Sequence, residues 1–252
     1  MTLPADLPAR LNKAGLRVNT VPGWRTRGRP GSFAPRGVLW HHTGGAGDGL
    51  EYARWMALTG RPDLPAPLCQ LSIGRDGTVY VLAAGRANHG GTARAAGPMP
   101  SGDANTLYVG VECHNTGSEG WRTEQRDAMV KVGVVLSEIL GCTAEHNRGH
   151  VETSVTGKWD PGALDLDEFR ADLAAVLNKP KALPKRVVRY LSETLAIRKE
   201  LTREIKRLKA AREVAKRKGE MTGRYTRAIR QTREARKTLR VAREAARRVP
   251  KR

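Results

Sequence analysis

The 252-residue sequence predicts an α/β domain with a central, mostly mixed β-sheet flanked by helices, followed by a basic all-α C-terminal segment. Three observations predict it. Short apolar runs of strand length alternate with longer stretches of helical periodicity through the first 178 residues. Glycine and proline punctuate the joints between them. The charge then divides: 18 Lys+Arg and 18 Asp+Glu fall in residues 1–178, against 27 and 7 in residues 179–252, so the whole formal charge of +20 lies in the last part.

The elements follow in order. A short helix is expected near Asp6–Ala14, then an extended loop through Pro22-Gly23-Trp24-Arg25-Thr26-Arg27-Gly28-Arg29-Pro30-Gly31. Val38-Leu39-Trp40 reads as a buried strand ending in polar residues, and Asp48–Leu58 as a helix between glycine-rich turns. Leu71–Ile73 and Thr78–Leu82 read as a hairpin turning on Asp76-Gly77. Leu107–Cys113 is a further strand. Thr123–Leu140 carries apolar residues at helical spacing, with Thr123 as the expected N-cap. Leu166–Leu177 closes the domain as a helix, and His146 and His150 are expected in a loop before it.

Residues 1–178 thus form one expected domain, long enough to bury a core. Residues 179–184, Lys-Pro-Lys-Ala-Leu-Pro, form the expected linker, since Pro180 and Pro184 break a helix. Residues 185–252 read as two basic helices joined at Lys218–Gly223, with a thin apolar stripe that makes them marginal without a partner.

Composition excludes several classes. No run approaches the ~18 apolar residues of a membrane span. The opening Met1-Thr2-Leu3-Pro4-Ala5-Asp6 lacks the apolar core of a secretory signal. Cys69, Cys113 and Cys142 are odd in number and widely spaced, which argues against a disulfide framework and for synthesis in a reducing compartment.

Four of the six histidines occur as His41-His42 at a strand end and as His146 and His150, and Asp160 follows His150 by ten positions. Two imidazoles and a carboxylate are a suitable set for a catalytic zinc, which leaves a fourth position for water. Spacing alone leaves His41 and His42 as alternatives for the first ligand.

Five segments carry a more specific signal: Leu39-Trp40-His41-His42-Thr43, Gly74-Arg75-Asp76-Gly77-Thr78-Val79, Asn88-His89, Val109-Gly110-Val111-Glu112 and Gly157-Lys158-Trp159-Asp160-Pro161-Gly162. In this order they resemble the zinc-dependent N-acetylmuramoyl-L-alanine amidases of type 2, the family that includes phage endolysins and peptidoglycan-recognition proteins. The resemblance covers roughly residues 20–178 and, with Val21-Pro22-Gly23-Trp24, looks most like endolysins of phages infecting actinobacteria. It implies the type 2 amidase fold, and zinc held by His41, His150 and Asp160. It implies Glu112 as general base toward the attacking water and Lys158 as stabiliser of the oxyanion. It places His89, Asn88 and Trp159 at the substrate. The implied reaction cleaves the amide between the lactyl group of N-acetylmuramic acid and L-alanine.

The chain departs from some members, which carry Tyr-His-Phe before the Asp-Gly hairpin and use that tyrosine. Here Cys69-Gln70-Leu71 stands there. Those members tend to lack the carboxylate at the position of Glu112, so the glutamate solution is the one expected here. His114 and His146 are expected at the surface or beside the site, and the cysteines as small buried hydrophobes.

Three rival readings remain at this level. A Cys/His hydrolase would use Cys69 or Cys142 with His150. A catalytically silent recognition module would bind peptidoglycan without cutting it. A nucleic-acid binder would take the basic tail as primary, but Tyr190 and Tyr225 are the tail's only aromatics, and only nonspecific polyanion affinity follows from the charge. The tail is instead expected to hold the enzyme on anionic wall polymers or a lipid surface. The resemblance further implies residence in the host cytoplasm until a holin-type protein releases the enzyme to the wall for host lysis.

Overall fold

The computed structural model describes residues 2–178, 185–218 and 222–247. The chain divides into two compact units, Met1–Lys179 and Pro180–Arg252. The expected linker, 179–184, lies outside the described residues, as do positions 219–221 of the expected joint between the tail helices.

The first unit begins with α1 (Leu7–Lys13) and β1 (Val18–Thr20). β2 (Gly37–His42) and α2 (Gly49–Leu58) follow, then the small hairpin β3 (Gly60–Arg61) and β4 (Leu64–Pro65). β5 (Leu71–Ile73) and β6 (Val79–Val81) form the Asp-Gly hairpin. β7 (Thr92–Ala93), β8 (Gly102–Asp103) and α3 (Ala104–Leu107) lead into β9 (Tyr108–Cys113). After α4 (Thr123–Leu140), a 3-10 turn over Ala144–His146 precedes β10 (Asn147–Gly149), α5 (His150–Thr153) and α6 (Leu166–Leu177).

Six strands form the central sheet in the order β1-β6-β5-β9-β2-β10. Every pairing is parallel except β5 with β6, so the sheet is mixed as the sequence predicts. The inner strands β5, β9 and β2, with β6 beside them, are short and buried on both faces, which is why they appear in the sequence as apolar runs without clean alternation. Val38 and Trp40 of β2, and Val109, Val111 and Cys113 of β9, join the core formed with α4, α6 and α1. Trp40 meets Phe169 edge to face at 5.0 Å. Gly133 makes the close approach of α4 possible: a Cβ there would fall 2.7 Å from Leu173 and 3.2 Å from Trp40.

Several expectations need correction. Thr123 is the first residue of α4; the N-cap is Arg122, whose side chain makes no cap bond. His150 is not in a loop but opens α5, directly after β10. β1 and β10 were not legible, since three residues carry too little periodicity to register. His114 is fully buried, stacked on Tyr80 at 5.7 Å and bonded through Nδ1 to Asp48 at 2.8 Å.

The second unit consists of α7 (Lys185–Arg217) and α8 (Gly223–Arg247), packed on each other. Ile205 and Ala215 of α7 and Ile229 of α8 are buried, while Ile197, Val214 and Val241 stay exposed. No helix among the described residues is long and apolar enough to cross a membrane.

Candidate active site

Parallel pairing sets the site. β2 and β9 are in register with His41 opposite Glu112, and β5 continues the row with Ser72 opposite Glu112. β10 pairs Gly149 with Trp40, which delivers His150 to the next position beside His41. Side chains alternate along a strand. Val109, Val111 and Cys113 face the α4 side, so Glu112 faces the opposite layer. The row therefore crosses the sheet near the carboxyl ends of its parallel strands, where open α/β sheets bind ligands.

Asp160 completes the cluster from the loop after α5, which Val151 N–H anchors by donating to the Asp160 carbonyl at 2.7 Å. Its Oδ2 lies 2.8 Å from His41 Nδ1 and 3.0 Å from His150 Nδ1. One ligand atom from each of the three residues lies within 4.8 Å of the others, and all three residues are buried. Burial pushes the Asp160 carboxyl up, but the two imidazoles beside it outweigh this and hold it far below the usual carboxylate range. Burial lowers the pKa of His41 against the pull of Asp160, so that imidazole is neutral and can offer a lone pair. Two imidazole nitrogens and an anionic oxygen converging in a buried spot are the donor set of a three-ligand zinc site, so the residues fit such an ion.

His42 is not part of this cluster. Its Nδ1 accepts the Gly162 N–H at 2.9 Å, and its ring meets Trp159 edge to face at 4.4 Å. Of these two histidines, His41 is the one that stands in the group with His150 and Asp160.

Glu112 is shifted in the opposite direction from Asp160. Burial, with Asp160 adding repulsion and Lys158 opposing, pushes its pKa up to about 8. Its Oε2 is buried with no hydrogen-bond partner among the described residues, and so is Ser72 Oγ, its neighbour in the row. A buried unpartnered carboxyl oxygen facing a cleft is what a general base looks like before substrate arrives.

The cleft above holds about 540 Å³ and is lined by His41, Glu112, His150 and Asp160, together with Lys158, Trp159, Asn88 and His89. Lys158 is exposed, and Trp159 is 56% exposed. Asn88 ties its loop to the end of β4, donating from Nδ2 to the Pro65 carbonyl at 2.8 Å. His89 lies beneath the cleft surface, 9% exposed, with Nδ1 3.2 Å from His41 Nε2.

Sequence reasoning missed several supporting residues. Asn105 Oδ1 accepts the N–H groups of His89 and Gly90 at 2.8 and 2.9 Å, fixing that loop. Glu152 accepts the Gly149 N–H at 2.8 Å and bonds both Arg148 and Arg170 at 3.1 Å, clamping the turn that presents His150. Tyr52 and Trp55 of α2, stacked with centroids 5.4 Å apart, line the far wall. The polar positions of Asn105 and Glu152 resemble ordinary loop residues in sequence. Only the aromatic pair at i, i+3 left a signal, and it reads equally as packing.

Comparison with known proteins follows from this geometry. Residues 31–163, more than half of the chain, match the sequence profile of the N-acetylmuramoyl-L-alanine amidase family. Among solved structures, a selenomethionine AmpD derivative is similar at 21% identity and TM-score 0.49, covering 69% of this chain and 99% of that one. The endolysin amidase LysCS from Clostridium intestinale URNW is similar at 18% identity and TM-score 0.44, covering 62% and 95%. A mutant endolysin from Bacillus subtilis is similar at 16% identity and TM-score 0.46, covering 63% and 99%. No curated protein matches the chain.

Proposed function

The chain belongs to the N-acetylmuramoyl-L-alanine amidase family, a hydrolase of peptidoglycan, and from that premise we propose a zinc-dependent mechanism carried by His41, His150, Asp160, Glu112 and Lys158. The observation that carries it is the convergence of two imidazoles on Asp160 beside a Glu112 carboxyl that is raised in pKa and unpartnered. Zinc in this donor set supplies Lewis acidity, lowering the pKa of a water and polarising a carbonyl. Glu112 takes the proton of the water that attacks the lactyl carbonyl and passes it to the departing nitrogen of L-alanine. The Lys158 ammonium, at the cleft rim, offsets the negative charge that develops on the carbonyl oxygen. Trp159 and Asn88 hold the glycan and stem peptide along the cleft walls.

The biological setting we infer is that of an endolysin, acting on the host wall at lysis after release from the cytoplasm by a holin-type protein. It rests on the five-motif resemblance and the Val21-Pro22-Gly23-Trp24 opening. The basic helices, with most of the chain's excess charge, serve as an anchor to anionic wall polymers or lipid.

The test is turbidity loss of purified peptidoglycan with chelator and zinc re-addition, followed by end-group analysis. Zinc-dependent clearing with new L-alanine amino termini and no new reducing ends is the expected result. Clearing that ignores the chelator would move the chemistry to a cysteine. Wall binding without clearing would leave a silent recognition module.

A further inference from the structure

We propose that Arg75 is a positioning residue for the substrate: its guanidinium holds together the two loops that seat the aromatic side chains of the cleft. The inference rests on the amidase reading of that cleft. Arg75 belongs to the Gly74-Arg75-Asp76-Gly77 turn after β5, and the mechanism above gives it no task. It is buried, and each of its three side-chain nitrogens is bonded. Nη1 donates to the carbonyls of Ala46 at 3.3 Å and Gly47 at 3.0 Å. Nη2 donates to the Gly45 carbonyl at 3.2 Å and to Glu119 Oε1 at 2.8 Å. Nε donates to both Glu119 carboxylate oxygens at 3.2 Å.

One side of this clamp leads to α2. Gly47 lies against Tyr52, since a Cβ there would fall 2.6 Å from the ring. Tyr52 stacks on Trp55 with an interplanar angle of 4°, and both line the cleft. The Arg75 backbone N–H also donates to Asp48 Oδ1 at 3.2 Å, the atom that caps α2 by accepting the Gly49 N–H at 2.8 Å. The other side leads to Trp159. Glu119 Oε1 accepts the Thr116 N–H at 2.7 Å, next to Gly117. A Cβ at Gly117 would fall 2.3 Å from Trp159 and 2.5 Å from His42, so this loop's backbone is the seat of the indole.

The task suits arginine. A planar fork of five N–H groups can reach three successive carbonyls on one loop and a carboxylate on another, whereas an ammonium offers a single nitrogen. A buried cation that served stability alone could be replaced by packed apolar residues. What such residues would not supply is a fixed separation between two loops, and reacting groups are sensitive to small displacements of what positions the substrate. The hydrogen bonds and ion pairs of Arg75 reach none of His41, His150, Asp160, Glu112 or Lys158. Its loss therefore acts on the hold over substrate and leaves the reacting groups in place.

The test is steady-state hydrolysis of a soluble muropeptide by the full chain and its variants, with ¹⁹F NMR of fluorotryptophan-labelled protein. Arg75→Met is expected to raise KM about tenfold with kcat and zinc affinity kept within about threefold. Glu119→Gln, which keeps one acceptor oxygen but no charge, is expected to give a smaller rise in KM. The double variant should lose no more than Arg75→Met alone, because both break one clamp. Arg17→Met, which frees Asp76 of the same turn, is expected to leave KM unchanged. Of the five tryptophan signals, those of Trp55 and Trp159 should move in Arg75→Met, while those of Trp24 and Trp40 in the core should stay. An unchanged KM in both Arg75→Met and Glu119→Gln would overturn the proposal. So would a Trp40 signal that moves with the others, which would mark a general loosening. A wild-type chain that does not hydrolyse muropeptide would instead overturn the amidase reading, and the ¹⁹F signals would still decide whether Arg75 holds the two indoles.

Discussion

Glu112 owes its character to its place between two influences, burial beside Asp160 and the nearby Lys158 ammonium. Its pKa rises from 4.5 to about 8, so the folded metal-free protein favours the neutral acid. That preference is a stabilising contribution at low pH that is lost as pH climbs through the window from about 4.5 to about 8. The metal-free wild type should therefore melt at lower temperature at pH 9 than at pH 5 by more than Glu112→Gln does, in paired thermal scans. The same substitution should lower the rate of amide hydrolysis by about 10²–10⁴-fold while zinc affinity is kept, because it removes the proton acceptor and no ligand. Lys158 is exposed and lines the cleft, so Lys158→Met should leave the melting temperature unchanged and lower kcat by about 100-fold. Equal losses in KM alone would make it a binding residue instead.

At the scale of elements, the turn from β10 into α5 matters most, because His150 sits on its first residue. Arg148 and Arg170 are both buried, with side chains 8% exposed, and Glu152 is shared between them. Glu145 and Asp167 supply their remaining charge partners. Removing one member of a buried charge set leaves the others uncompensated. Glu152→Ala should thus destabilise the first unit by about 2–4 kcal/mol, seen as a lower urea midpoint at constant slope. It should also weaken zinc binding, since the capped Gly149 N–H that aims His150 is released. α4 shows how an element can be legible while its ends are not. Its 18 residues repeat apolar positions often enough to register, whereas its start is decided by Arg122 backbone geometry that no side chain announces.

For the whole molecule, the contrast between the two units is one of charge and core. The first has a continuous core across the sheet and helices; the second buries few residues between two helices that carry mostly Arg and Lys. Residues 1–178 alone should retain amide hydrolysis on soluble muropeptide. On intact walls they should bind less than the full chain at low salt, with the difference vanishing as salt rises, because only the tail carries net charge. Equal retention, or retention independent of salt, in a wall co-sedimentation series would reject the anchor.

What the sequence by itself determined is the set of chemical groups and the class of fold. Apolar runs and helical periodicity are local properties of the chain, and they predict the mixed sheet, α2, α4 and α6. Motif order likewise singled out His41, His150, Asp160 and Glu112, because short segments keep their residues together. Only the tertiary structure decided how those segments meet. Parallel register puts His41 beside Glu112 across strands more than sixty positions apart, and a row of side chains on one sheet face has no image in local spacing. The fold likewise separated His41 from His42, set His89 against His41 in the cleft lining, and buried His114 against Asp48. Each of these is a contact between distant segments, and its energy depends on partners that no stretch of sequence contains.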